Sequence, residues 1–150
     1  MAPSRGPLSA QSAVSGAAAA SALHGLRVLV AEDNPANQKL IAYLLEKAGH
    51  TVLTARNGLE ALRLVQSQEG RFDVVLMDIE MPEMDGRIAT STIRTLEAER
   101  HWPATPIIAL TAHNDPAEQR QIMTGGFDAI LTKPINAAEL HATLAAVPAR

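Results

Sequence analysis

A doubly wound α/β sandwich of five βα units, with a parallel sheet in the order 2-1-3-4-5, is predicted by three observations. Five short apolar runs alternate with five segments of helical periodicity, which implies parallel strands with helices on both faces. The central run, Val74 to Met77, is apolar at every position, as in a strand covered on both sides. Acids, a hydroxyl and an ammonium directly follow four of the five runs, at the sheet edge where such folds bind ligands.

The elements follow in order. Leu26 to Ala31 is the first apolar run. Pro35 then sits where a first helical turn tolerates a missing N–H, and Leu40, Ile41, Leu44, Leu45 and Ala48 share a helix face that Gly49 ends. Thr51 to Ala55 is the second strand, and Asn57 caps a helix carrying Leu59, Leu62 and Val65. The third strand runs into Asp78, and Pro82 with Asp85-Gly86 forces a loop. A helix from about Gly86 is expected to bury Ile88, Ala89, Ile93 and Leu96. Pro103 and Pro106 bracket a loop before the strand Ile107 to Leu110, and Asn114-Asp115-Pro116 starts the fourth helix. Gly125-Gly126 breaks it, Asp128 to Thr132 is the fifth strand, and Asn136 caps a last helix with Leu140, Leu144 and Val147. Right-handed crossovers complete the topology.

Residues 1–25 are a different material. Ala, Ser, Gly and Pro dominate and no large apolar side chain recurs with a period, the composition of a disordered leader or linker. A secretory signal would need a Leu- or Val-rich region in place of Ala diluted by Ser and Gly. The remaining 125 residues, 26–150, suit one compact domain. The chain has no cysteine, which excludes disulfides and Cys-ligated metals. A net charge of -3 without a Lys/Arg cluster argues against a nucleic-acid or anionic-membrane surface. Nor does any apolar run reach the length of a membrane span.

The predicted sheet gathers polar residues at one edge: Glu32-Asp33 after the first strand, Asp78 after the third, Thr111 after the fourth, and Thr132-Lys133-Pro134 after the fifth. Singly, each reads as an ordinary turn or helix-start residue. Jointly they are a site. Carboxylates so crowded repel one another, and a hard divalent cation such as Mg²⁺ relieves this. Phosphoryl transfer is the chemistry that uses acids, a metal, a cation and a hydroxyl together, because its transition state spreads negative charge over three oxygens. His24, His50, His101, His113 and His141 show no metal-ligand spacing and read as surface or packing residues, as does Trp102.

Four segments resemble, in order, the signatures of response-regulator receiver domains of two-component signalling: Val28 to Asn34, Val75 to Gly86, Ile108 to Ala112 and Leu131 to Pro134. The wording from Asn34 to Leu40 is most similar to receivers attached to hybrid histidine kinases. The resemblance covers roughly Leu26 to Val147 and implies a flavodoxin-like fold, with residues 26–150 as the receiver domain. It implies that Asp78 is the phosphoacceptor, taking a phosphoryl group from a kinase phosphohistidine. Asp33 and Asp78 would ligate Mg²⁺, Glu32 would help through water, and the Glu80 main-chain carbonyl would complete the protein ligands. Thr111 and Lys133 would hold the phosphoryl oxygens. The implied protein is cytoplasmic and catalyses only its own phosphorylation and dephosphorylation. Its implied partners are a histidine kinase, or its own upstream kinase domains, and a histidine phosphotransfer protein.

The leader suits the receiver part of a larger hybrid kinase somewhat better than a stand-alone regulator. Ala112, small and next to Thr111, leaves the site open to a bulky donor. One departure stands out: Ile130 occupies the place where the resembled family has Tyr or Phe, and Phe127 falls elsewhere in the turn. Two other classes compete. A phosphatase or phosphotransferase of the haloacid-dehalogenase kind also pairs an Asp nucleophile with an acid two residues on, as Asp78-Ile79-Glu80 does, but its paired acids come after the nucleophile strand. A flavodoxin-like flavin-binding module would want hydroxyls and glycines, not two acids, behind the first strand.

Overall fold

The computed structural model describes residues 25–147. Its strands β1 (Arg27–Ala31), β2 (Thr51–Ala55), β3 (Val74–Asp78), β4 (Ile107–Thr111) and β5 (Ala129–Thr132) alternate with helices α1 (Pro35–Lys47), α2 (Gly58–Ser67), α3 (Gly86–Arg100), α4 (Pro116–Met123) and α5 (Ala137–Ala145). All strand pairs are parallel and the order is β2-β1-β3-β4-β5, as the alternation predicts. The leader expected at residues 1–25 lies, apart from Gly25, outside the described residues.

Strand side chains alternate between two cores. Leu29, Val75, Met77 and Ile107 face α2, α3 and α4, whose Val65, Ile93 and Ile122 complete one cluster. Val28, Val30, Leu76 and Leu110 face Ile41 and Leu45 of α1 and Leu140 and Leu144 of α5. Each fully buried aliphatic side chain contributes about 1.5–3 kcal/mol, so both faces of the sheet are committed and only its edges and loops are left for chemistry. β3 is buried along its whole length, with Asp78 as its last residue.

Helix starts follow the local chemistry. Asn34, Asn57, Asp85, Asp115 and Asn136 each cap a helix by accepting a backbone N–H three residues on, a contact worth about 1 kcal/mol apiece. Gly49, at φ 98°, stands just past α1 in the left-handed conformation that ends helices. Trp102 packs as expected: a Cβ on Gly70 would lie 2.7 Å from its ring.

Two expected core residues face outward. Ile88 is 53% exposed and Leu40 is 47% exposed. In α3 the buried side is set by Gly86, Ala89, Thr90, Ile93, Leu96 and Glu97, a stripe on the far side of the helix from Ile88. Glu97 is tolerated inside because Arg94 and the Thr105 N–H bind its carboxylate at 2.8 Å each. Apolar spacing alone did not register that this polar pair claims the flank.

Candidate functional site

The register brings the ends of β1, β3 and β4 level, with Ala31 opposite Met77 and Asp78 opposite Leu110. Thr111 pairs with Thr132, so Lys133 emerges beside it and donates its N–H to the Thr111 carbonyl at 2.7 Å. The predicted residues therefore meet at one edge, in a cleft of about 380 Å³ lined by Glu32, Asp33, Asp78, Glu80, Thr111, Ala112 and Lys133, with Asn34, Asn37 and Ile79.

Each side chain is held differently. Glu32 is fully buried; its Oε2 accepts the Asn34 N–H at 3.0 Å and its Oε1 lies 3.0 Å from Lys133 Nζ. Asp33, next in sequence, is exposed. Asp78 is 3% exposed, with Oδ1 accepting the Glu80 N–H at 3.2 Å and Oδ2 2.9 Å from Lys133 Nζ. Thr111 is buried, and its Oγ1 accepts the His113 N–H at 3.0 Å. Among the described residues the hydroxyl proton has no protein acceptor, which leaves it able to donate into the cleft. The loop after Asp78 can return this close because residue 86 is glycine: a Cβ there would lie 2.1 Å from the Asp78 carbonyl oxygen.

Electrostatics follow from burial. The Asp78 carboxyl is pushed up to about 7, first by burial and then by the Glu32 charge, against the opposing hydrogen bond from Lys133. Burial works to lower the Lys133 ammonium, yet the hydrogen bonds and charges of Asp78 and Glu32 outweigh it and hold the group above its ordinary value. Carboxylate oxygens of Glu32, Asp33 and Asp78 all lie within 4.8 Å of one another. With all three carboxylates ionised, one ammonium leaves two negative charges in excess, and hard oxygen donors in that number fit a hard divalent cation.

Several contacts were not anticipated from sequence. Lys133 bridges Asp78 and Glu32 together, so Glu32 is held by an ion pair inside the protein. Gln38 of α1 donates its Nε2 to the carbonyls of both Glu32 and Ala55 at 3.0 Å, pinning the ends of β1 and β2. The polar run Asn34 to Gln38 at a helix start was the available signal. His113 is more than a surface residue: Nε2 lies 3.3 Å from Glu80 Oε2 and Nδ1 3.1 Å from Glu118 Oε2. Ile130 is half-buried, opposite Ala109, and packs against the cluster that contains buried Phe127.

Comparison with known proteins converges on one family. The chain matches the family described as "Response regulator receiver domain" over residues 28–145. It is 49% identical over 114 residues to the sensor histidine kinase GacS of Pseudomonas protegens, a match that covers 76% of this chain and 12% of that kinase. The crystal structure of the receiver domain of sensor histidine kinase PA1611 from Pseudomonas aeruginosa, with a magnesium ion coordinated in its active-site cleft, is similar with a TM-score of 0.71 and 38% identity, covering 80% of this chain and 94% of that one. A co-crystal structure of the Saccharomyces cerevisiae histidine phosphotransfer protein Ypd1 with the receiver domain of Ssk1 is similar with a TM-score of 0.75 and 30% identity, covering 81% and 87%. With β1, β3, β4 and β5 delivering acids, hydroxyl and ammonium to one cleft, and residues 28–145 matched throughout, the chain belongs to the response-regulator receiver domains of two-component systems.

Proposed function

We propose that this receiver takes a phosphoryl group from the phosphohistidine of a histidine kinase onto Asp78, and passes it on or signals through it. The observation that carries the reading is the Lys133 bridge: one ammonium within 3.0 Å of both Asp78 Oδ2 and Glu32 Oε1, at the floor of an open cleft. An Asp78 oxygen attacks phosphorus, the P–N bond breaks, and the donor imidazole leaves with its electron pair, forming a mixed anhydride. Lys133 offsets charge on the phosphoryl oxygens, and the Thr111 hydroxyl donates to one of them. Exposed Ala112 keeps the mouth open to a protein donor. Water later attacks the acyl phosphate, so the domain catalyses only its own phosphorylation and dephosphorylation.

Glu32, Asp33, Asp78 and the main-chain carbonyl of Glu80 would hold Mg²⁺, Glu32 through water. Bound there, such a cation would neutralise the negative charge of these acids and of an incoming phosphoryl group. The similarity to GacS supports a hybrid histidine kinase as the setting, with the kinase's own upstream domains as donor. The Ypd1 complex supports a histidine phosphotransfer protein as a further partner. This reading assigns the exchange to the cytoplasm.

The dehalogenase-like and flavin-binding alternatives lose support from this geometry. Glu32 precedes the Asp78 strand and is buried against Lys133, and two acids stand where a flavin phosphate would sit. The test is direct. Acetyl phosphate with Mg²⁺ adds one base-labile phosphoryl group by intact mass, and Asp78→Asn adds none; an unchanged mass gain in that variant moves the nucleophile elsewhere.

A further inference from the structure

The connection from β3 to α3 carries Glu80; Met81 and Met84 anchor it to the core, but its residues 80–84 have few hydrogen bonds to the rest of the fold. Among the described residues, the hydrogen bonds reaching them from outside that connection and its flanking elements are the His113 contact to Glu80 and two bonds from the N-cap and first residue of α2. Asn57 donates its Nδ2 to Glu83 Oε1 at 2.7 Å, and Gly58 donates its N–H to the Met84 carbonyl at 2.8 Å. Asn57 is used twice, because its Oδ1 also accepts the Glu60 N–H that caps α2.

The approach is close enough to demand its residues. A Cβ on Gly58 would lie 2.3 Å from the Met84 carbonyl oxygen and 3.0 Å from the Ala89 side chain. The Gly58 N–H belongs to the first helical turn, whose donors have no partner within the helix, and here it is spent on the loop. Glu83 stands at φ 67°, a left-handed conformation that a residue with a Cβ adopts at a cost. The bond from Asn57 ties the Glu83 side chain to the start of α2.

We infer that Asn57 and Gly58 form a positioning element for the Glu80 loop, so that the cation affinity of the site depends on a helix start that touches none of its ligands. The inference rests on the proposed Mg²⁺ site. Asn57 and Gly58 are positioning residues, acting through Glu83 and Met84 respectively.

Asn57→Asp separates this role from stability. Asp retains the oxygen that caps α2, but it turns the Glu83 contact into a repulsion. Adding Glu83→Gln restores a hydrogen bond in the reverse direction, from the Gln amide to the Asp, at the net charge of the native chain. The added charge of Asn57→Asp would by itself strengthen cation binding, so weaker binding cannot be an effect of charge.

Calorimetric titration with Mg²⁺ alone is expected to show affinity falling about fivefold in Asn57→Asp, the net worth of one typical intramolecular hydrogen bond, and returning to within about twofold of native in the double variant. Exchange of the Gly58 amide in metal-free protein should quicken in the single variant and recover in the double. Native Mg²⁺ affinity in Asn57→Asp despite faster Gly58 exchange would overturn the inference, as would a loss that Glu83→Gln fails to rescue. Absence of Mg²⁺ binding by the native chain would overturn the proposed site and this inference with it.

Discussion

Lys133 Nζ stands 2.9 Å from Asp78 Oδ2, across 55 positions of sequence, and it shares its charge with the buried Glu32 carboxylate. One ammonium thus serves two acids. The arrangement holds the fold together at this edge without satisfying it electrostatically, since burial and Glu32 still drive the Asp78 carboxyl up to about 7. A site left short of positive charge suits a hard divalent cation.

That imbalance has a pH signature. Asp78 binds its proton more tightly folded, at about 7, than at the ordinary carboxyl value of 3.8. The folded state therefore carries the extra proton between these values, and metal-free stability falls as pH rises through that window. The Lys133 shift is also upward, but on a cation it is stabilising, and its contribution persists until the pH climbs past its ordinary 10.5. Asp78→Asn should remove the acidic-side slope and be more stable than native by about 1–2 kcal/mol at pH 8 in EDTA, after allowance for solvent screening. Urea melts at pH 5 and pH 8 check this; equal slopes in the two proteins would contradict it.

Asp33 differs from its buried neighbours. Because it is exposed, its removal should relieve little strain, and Asp33→Ala should change metal-free stability by no more than about 0.5 kcal/mol. Its loss should instead abolish stabilisation by Mg²⁺, which at tenfold excess over Kd is worth about 1.4 kcal/mol in the native chain. Thermal melts with and without Mg²⁺ are the measurement, and a retained Mg²⁺ shift in the variant would take Asp33 out of the cation site.

Glu80 and His113 meet across the mouth of the cleft at 3.3 Å. On the proposed function, side chains two positions after Asp78 and Thr111 are placed to obstruct or orient water attacking an acyl phosphate on Asp78. Glu80→Ala and His113→Ala should therefore alter the dephosphorylation rate by about threefold or more while leaving phosphorylation intact. Decay of base-labile phosphate measures it, and native rates in both variants would remove the pair from the mechanism.

Ile130, where the resembled family has Tyr or Phe, is β-branched, stiff at its first torsion and packed against the core, so it offers little side-chain movement with which to carry a change outward. The response to phosphorylation is then expected to stay near Thr111, the segment from His113 to Pro116, and the Lys133-Pro134 turn. Amide exchange with and without beryllofluoride should show protection confined there, and Ile130→Tyr should extend it into α4 and β5. A response already reaching α4 in the native protein, and unchanged by Ile130→Tyr, would show that an aromatic is unnecessary.

The strand-helix alternation, the caps at Asn57 and Asn136 and the placement of Glu32, Asp33, Asp78, Thr111 and Lys133 at strand ends were all legible in the sequence, because each is decided within a few residues by periodicity, capping chemistry or the end of an apolar run. Register and helix rotation decided the rest. Nothing local says that Lys133 reaches both Asp78 and Glu32, that Glu32 is sealed in while Asp33 faces water, or that the turn at Asn57 supports the loop at Glu83. Ile88 makes the same point. Its spacing suits the core, but α3 turns outward there because Arg94, Glu97 and Thr105 satisfy one another on the other side. Such choices belong to the packed whole, where a buried polar group must find partners that only the tertiary fold can bring within reach.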